Sequence, residues 1–401
     1  MLALALLCCA AGSHAQQRLT AQDAVQLALA QAHVQDGLDA SIALARSEVI
    51  SARTWANPTL DVDREELRDD AVSGSETSVM LSQPFELGGR RGLRIRAAEA
   101  GVSAAVAGVA HERIRLRGEV LRDYYAVAAA ERRMQAQGKI SIGLASLADV
   151  AGKRQRAGDL SGYESRRIAQ ASAQAQARRA EASAAARAAR HRVAGWIGEA
   201  ALRAELDDAL HLAVVPDGTN IRSAELDSLA AQRTHAEAQA SAAGRVSLPV
   251  TVGIGSKRIR QGGLSDDALM LELGVELPLF DRNQGERARA AAELQRTEAQ
   301  YQRALIQTRA RRSAALEEAR ELAESLRRMR AEMVPEAAQL TDIARNSFAE
   351  GELDLVGLLD AYDAEAAVVD QTLEQQSRAL DALLDLARLS PAPIVPTHPT
   401  P

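Results

Sequence analysis

The residues that could do chemistry are thinly spread. Beyond the first fifteen positions the histidines are His33, His111, His191, His211, His235 and His398. No two stand at i, i+4, and none falls in an H-E-x-x-H sequence, so the spacing that puts two imidazoles on one helix face is missing. Both cysteines, Cys8 and Cys9, lie in an apolar leader. Without thiols or paired imidazoles there is no donor set for a dedicated zinc or copper site. "RQGGLSDD", from Arg260, has glycines, but no phosphate-loop lysine pattern follows. "GYES" offers Ser165 without a credible base. A nucleophile, a base and an orienting group never occur together, so neither an enzyme nor a bound cofactor is expected. The acids do gather, in "GELDLVGLLDAYDAE", with Glu352, Asp354 and Asp360. Residue type by itself reads these as solvated helix charges.

Chemistry being scarce, the elements carry the information. The formal net charge is −6, and arginines alternate with glutamates instead of forming a basic block, so no nucleic-acid partner is implied. Aromatics make up only 2% of the chain, which leaves leucine and alanine as the apolar content and points to long helices or coiled coils. "MLALALLCCAAGSHAQQ" reads as a secretory leader, residues 1–15, with Ser13-His14-Ala15 as a cleavage site. "LLCCA" leaves a second possibility, a lipidated Cys9. Either route puts the mature chain outside an inner membrane and leaves it nearly or wholly free of cysteine.

Two strand-to-helix corners stand out. "SQPFELGGRRGLRIRAAEA", from Ser82, and "ELPLFDRNQGERARAAAE", from Glu276, share one plan: strand, proline with a nearby phenylalanine, polar glycine turn, then an Arg-Ala helix. Pro84 and Pro278 are 194 positions apart, Gly158 and Gly351 are 193 apart, and Pro58 and Pro249 are 191 apart. A near-constant offset of that size predicts a duplicated domain, not a solenoid. The first repeat spans 16–210: a helix, a β-hairpin over 57–86, a long helix, a tip near Gly158 and a return helix. The second spans 211–389, with its hairpin over 248–280 and its tip near Gly351. A proline-rich tail, 390–401, is expected to be disordered. Pro335 is expected to kink the second long helix or to begin a new segment.

In the second hairpin Leu269, Leu271, Leu273, Val275 and Leu277 alternate with Met270, Glu272, Gly274 and Glu276, the period-two signature of a two-faced strand. Strands of about ten residues suit a tilted membrane crossing, leucines to lipid and glutamates to a wet lumen. Unpaired edges have no water to satisfy them in lipid, so the sheet must close. Four strands cannot close a barrel, and three copies would supply twelve. The expected fold is therefore mainly α within an α+β class: long coiled-coil helices of an α-barrel, plus four strands per protomer in a trimeric transmembrane β-barrel. The corners Pro84, Gly88, Gly89, Pro278 and Gly285 would mark where the chain leaves lipid, with Arg90 and Arg91 at the headgroups. Trp55 is placed to anchor the first strand at that interface, although a full aromatic girdle is absent.

The combination resembles the outer membrane factor family, the TolC-type exit ducts. "NPTLDVD", "LSQPFELGGRRGLRIRAAEA", "ELPLFDRNQGERARA" and "GELDLVGLLDAYDAE" most resemble its CzcC-like branch, which serves heavy-metal efflux. The resemblance implies a homotrimer in the outer membrane of a Gram-negative bacterium, its helices in the periplasm. The implied partners are a periplasmic adaptor, an inner-membrane pump of the resistance-nodulation-division type, and outer-membrane lipid. It implies a passive duct for heavy-metal cations. A duct for organic drugs or other small molecules, or a periplasmic coiled-coil adaptor with a lipoyl-like β-domain, are the alternatives. The family's gate is a D-x-x-D-A motif after the second tip. Here Asp360 matches the second acid and Gly357 replaces the first, which implies a single acidic ring. Gly158, Asp159, Gly351, Glu352 and Asp354 would form the adaptor-facing tips.

Overall fold

A computed structural model describes residues 18–68, 73–206, 223–261 and 263–389. The leader, the tail and the junction between the two expected repeats lie outside them. The order is α1 (Ala21–Leu29), α2 (Ala32–Arg53), β1 (Thr59–Arg68), β2 (Ser73–Leu87), α3 (Arg90–Ala157), α4 (Gly162–Ile197), a 3-10 turn (Glu199–Leu202), α5 (Ala224–Gly244), β3 (Leu248–Gln261), β4 (Leu264–Val275), α6 (Gln284–Arg328), a π-helical turn (Met329–Met333), α7 (Val334–Glu350) and α8 (Leu355–Arg388). The chain forms two compact units, and each draws on both halves of the sequence.

One unit holds the sheet, together with most of α2, the start of α3, α5 and the start of α6. Both hairpins join into a single antiparallel sheet in the order β1-β2-β3-β4. The β2–β3 ladder runs from Gly74↔Gln261 to Leu87↔Leu248. Alternation gives the sheet two unlike faces. Leu60, Leu81, Ile254 and Leu271 form one row across the four strands, and Asp61, Met80, Gly255 and Met270 form the next row, on the opposite face. The leucine face is bare: Leu269, Leu271 and Leu273 are each more than 70% exposed. Its apolar stretch on β4, Leu269 to Val275, covers about 20 Å at 3.4 Å per residue, near the height of a barrel's lipid-facing band. An exposed Arg258–Asp267 pair at 2.7 Å closes that band on its loop side.

Two strand expectations need correction. In the second hairpin β3 ends at Gln261 and β4 begins at Leu264, so only positions 262–263 lie between the strands. Serine and aspartate extend the strand there because Arg258 pairs with Asp267 across it. At its other end β4 stops at Val275, short of the expected 280. Pro84, for its part, does not end the ladder. It pairs with Thr251, and β2 continues to Leu87. β1 leaves β2 at Ser82, so beyond it one side of β2 has no strand to donate to, and a proline is tolerated there.

The other unit is helical. Buried residues of α4 are Ile168, Ser172, Ala175, Ala182, Ala186, Ala189 and Val193. Steps of three, four and seven make a coiled-coil seam, and alanine lets neighbouring helices approach closely. On α3, Val120, Tyr124 and Val127 are fully buried, and the Tyr124 hydroxyl donates to the Leu19 carbonyl. Leu326 and Met329 are buried on α6 and the π turn, whereas Met333, four residues on, is 43% exposed. Met333 is the last residue of the π turn, whose i→i+5 winding takes it off the face that an α-helix would give it. Pro335 follows directly, in the first turn of α7, where its missing N–H costs least. No described helix is long and apolar enough to cross a membrane.

Candidate functional site

The helical unit ends in two tips built alike. α3 closes on Gly158, with φ +89°, and α7 on Gly351, with φ +85°. At each, the glycine N–H donates three residues back (Gln155, Phe348) and the next N–H five back (Arg154, Ser347). That double bond pattern is the Schellman stop, and it needs a left-handed residue. Four residues separate the helices at each tip: Gly158-Asp159-Leu160-Ser161 and Gly351-Glu352-Leu353-Asp354. The last residue caps the returning helix. Ser161 accepts from the Glu164 N–H while Glu164 reaches back, and Asp354 accepts from the Gly357 N–H at 2.9 Å. Leu160 and Leu353 anchor the turns on a core of Ile140, Leu144, Ile168, Phe348, Leu355 and Leu358. Asp159 and Glu352 remain exposed, while Asp354 is engaged as a helix cap.

Asp360 is exposed on α8. It lines a shallow groove with Arg167 and Arg178 of α4 and with Asp363 of α8. Asp363 stands one turn further on, 3.5 Å from Arg178. The reading of the sequence passed over it, although "DAYDA" carries the D-x-x-D-A spacing with Asp360 as its first acid. Gly357 has a local reason to lack a side chain: a Cβ there would lie 2.8 Å from Leu353 Cδ1 and 3.3 Å from the capping carboxylate of Asp354.

The corners belong to the sheet-bearing unit. Between β2 and α3 stand Gly88 and Gly89, both at positive φ. Arg245 Nε donates to the Gly88 carbonyl at 2.8 Å, and Arg94 forks onto Glu86 at 2.8 and 3.0 Å. Arg91 lies 4.3 Å over the Trp55 ring, which meets Phe85 edge-on, and donates to the Arg53 carbonyl. So Arg91 is held by protein groups, and Trp55 serves as its platform. At the second corner Pro278 lies in the link after β4, but Gly285 is not the turning residue. It is already inside α6. Asn283 takes the left-handed conformation, with φ 62°. Its N–H donates to Asp281 Oδ1 at 2.8 Å and its Nδ2 to the Ala243 carbonyl at 3.0 Å. Asparagine tolerates this backbone region because its side chain can bond locally. Leu277, Leu279 and Phe280 project from the same link, and Phe280 is 92% exposed. Among the described residues no three histidine, cysteine or acidic side chains converge to hold a metal ion.

A four-stranded sheet with one bare apolar face, continuous with long paired helices, is the protomer fold of the TolC-like outer-membrane channels. The structure superposes on the outer-membrane channel OprN with a TM-score of 0.76 at 16% identity, covering 92% of this chain and 89% of that one. Two helical hairpins and a shared sheet exclude the expected alternative of an adaptor with a single hairpin and a lipoyl-like domain. In sequence the chain is similar to the cobalt-zinc-cadmium resistance protein CzcC of Cupriavidus metallidurans, 26% identical over 329 residues, 78% of this chain and 76% of that protein. It is also similar to the nickel-cobalt-cadmium resistance protein NccC of Alcaligenes xylosoxydans xylosoxydans, 29% identical over 260 residues, 61% of this chain and 57% of that protein. The structural comparison thus agrees with the TolC-like fold, and the sequence comparison with the resemblance to the CzcC-like branch. No protein-family model matches the chain.

Proposed function

We propose that this chain is the outer-membrane duct of a tripartite efflux system and passes heavy-metal cations. The observation that carries the reading is the sheet. Its leucine face is bare, its opposite face bears Asp61, Asp63, Glu65 and Glu272, and both of its edges are open. β1 and β4 run in opposite directions, so copies placed head to tail join antiparallel, and a ring can close with no edge left in lipid. Three copies bring twelve strands. The same order of helix, hairpin, long helix, tip and return helix recurs in both halves, which supports a duplicated unit. The cation assignment rests on the likeness to CzcC and NccC, and the acidic lumenal face is compatible with it. Asp360 at the tips is the proposed cation gate, and the exposed tips with Asp159 and Glu352 are the surface offered to a periplasmic adaptor, with a resistance-nodulation-division pump beyond it.

Fractionation tests the reading. The protein is expected in outer-membrane detergent extracts as an oligomer that dissociates only on heating, and its deletion is expected to sensitise the host to divalent cobalt, zinc, cadmium or nickel. Recovery as a soluble monomer would sink the duct. An outer-membrane oligomer whose loss sensitises cells only to organic compounds would keep the duct and remove the metals.

A further inference from the structure

Met80 of β2, Gly255 of β3 and Met270 of β4 stand side by side in one row, on the face away from the leucines. Neighbouring strands lie about 4.8 Å apart, so the two methionine Cα atoms are about 10 Å apart with no side chain between them. The next row on that face runs Ser82, Gly253, Glu272. Gly253 and Gly255 thus leave a notch on β3, walled by side chains of β2 and β4. The Met80 thioether leans into it: Sδ lies 3.2 Å from where a Cβ on Gly253 would be and 3.0 Å from where one on Gly255 would be. Glu272 Oε2 lies 3.1 Å from the same Gly253 point, so sulfur and carboxylate oxygen are no more than 6.3 Å apart, the sum of the two distances. Both methionines are half-buried, and neither belongs to the buried core. They sit on a mostly polar face, beside Asp61, Asp63 and Lys257. Thioethers are soft, neutral donors on flexible stems, suited to soft cations, and the carboxylate supplies a countercharge. From this we infer a soft-cation site at the notch, in which the Met80 and Met270 thioethers and the Glu272 carboxylate take a monovalent copper(I) or silver(I) ion. Met80 and Met270 are 190 positions apart, so only the strand register brings them together. The site deepens the reading of the chain as a duct, and its place in the lumen rests on that reading, whereas ion binding by the purified protein does not.

Silver(I) is the probe, because it stays monovalent in air. Silver nitrate is titrated into the detergent-extracted full-length protein in chloride-free buffer, with binding followed by calorimetry. Saturable binding that weakens by about tenfold or more in both Met80→Leu and Met270→Leu, but not in Met134→Leu of α3, supports the site. Leucine nearly conserves the volume of methionine, so the variants should assemble, which the heat dissociation of the oligomer checks. Should one fail to assemble, silver X-ray absorption on the selenomethionine-labelled parent decides: two selenium neighbours around silver support the site, and their absence overturns it. Absence of saturable binding, or binding that survives either leucine substitution, also overturns it. Unchanged binding in Glu272→Gln overturns the part given to the carboxylate. A failure of silver binding leaves the duct standing, and recovery of the chain as a soluble monomer sinks the duct without touching the binding result.

Discussion

Gly158 and Gly351 stand 193 positions apart and adopt one conformation, φ +89° and +85°, each ending a long helix with the same pair of backbone bonds. The backbone at both tips is therefore specified by a residue that carries no side chain. Adding a Cβ meets no neighbour at either position, so the cost of substitution is purely conformational.

Gly158→Ala and Gly351→Ala are each expected to destabilise the tip by about 1–2 kcal/mol, the cost of holding an L-residue left-handed. Gly152→Ala, in the body of α3 with open space around it, should instead gain about 0.5–1 kcal/mol from helix propensity. Hydrogen exchange of the tip amides in the three variants checks the contrast. Equal effects at all three positions would defeat it.

The Ser161 cap makes one tip sensitive to acid. The Ser161 hydroxyl, and then its backbone N–H, hold the Glu164 carboxyl below its usual range. A folded-state pKa below the unfolded one contributes stability that is complete above the unfolded value, about 4.3, and disappears as pH falls through the folded value. Exchange protection of the first turn of α4 should therefore fall on acidification below pH ~4. In Ser161→Ala that pH dependence should shrink, because the depression is lost along with its cause.

Two glycines in close contacts should differ sharply. A Cβ at Gly255 would lie 2.4 Å from the Val79 carbonyl oxygen and 3.0 Å from Met80 Cα, both backbone atoms of the paired strand. Gly255→Ala must push β3 off β2 and should cost roughly 1–3 kcal/mol, seen as a lower dissociation temperature of the extracted oligomer. The atoms nearest to a Cβ at Gly118 all belong to the Arg388 guanidinium, starting at 2.4 Å. That side chain can swing aside, and its companion Asp385 is 3.8 Å away. Gly118→Ala should thus stay within about 0.5 kcal/mol of the parent.

For the gate, Asp360→Asn should lower cation over anion permeability in planar bilayers by roughly twofold or more. Asp363→Asn should have the smaller effect, because Arg178 already offsets part of that charge. Unchanged permeability in Asp360→Asn would remove this residue from the gate. A larger effect at Asp363 would move the selectivity one turn along α8.

Much of the molecule was legible because it is local. The leucine alternation of β4, the seam of alanines and β-branched residues on the helices, and the tips G-D-L-S and G-E-L-D each encode their structure within a few residues. A period of two, a period near 3.5 and a glycine followed by a cap need no knowledge of the rest of the chain. Four strands per chain, with one face apolar, were also enough to raise the expectation of self-association. What the sequence left open depends on segments far apart in the chain. β2 and β3 are separated by more than 150 residues, and only the fold shows that they pair and merge two hairpins into one sheet. That pairing is why Pro84 lies inside a strand, because a third strand carries the ladder past the point where β1 ends. Asn283 displaced Gly285 as the turning residue because the Ala243 carbonyl of another helix is there to receive its side chain. The row that sets Met80 and Met270 on either side of Gly255 likewise joins three segments that no spacing rule brings together. Side-chain periodicity is a property of one element, whereas pairing and convergence are properties of the packing between elements, and for those the tertiary structure was decisive.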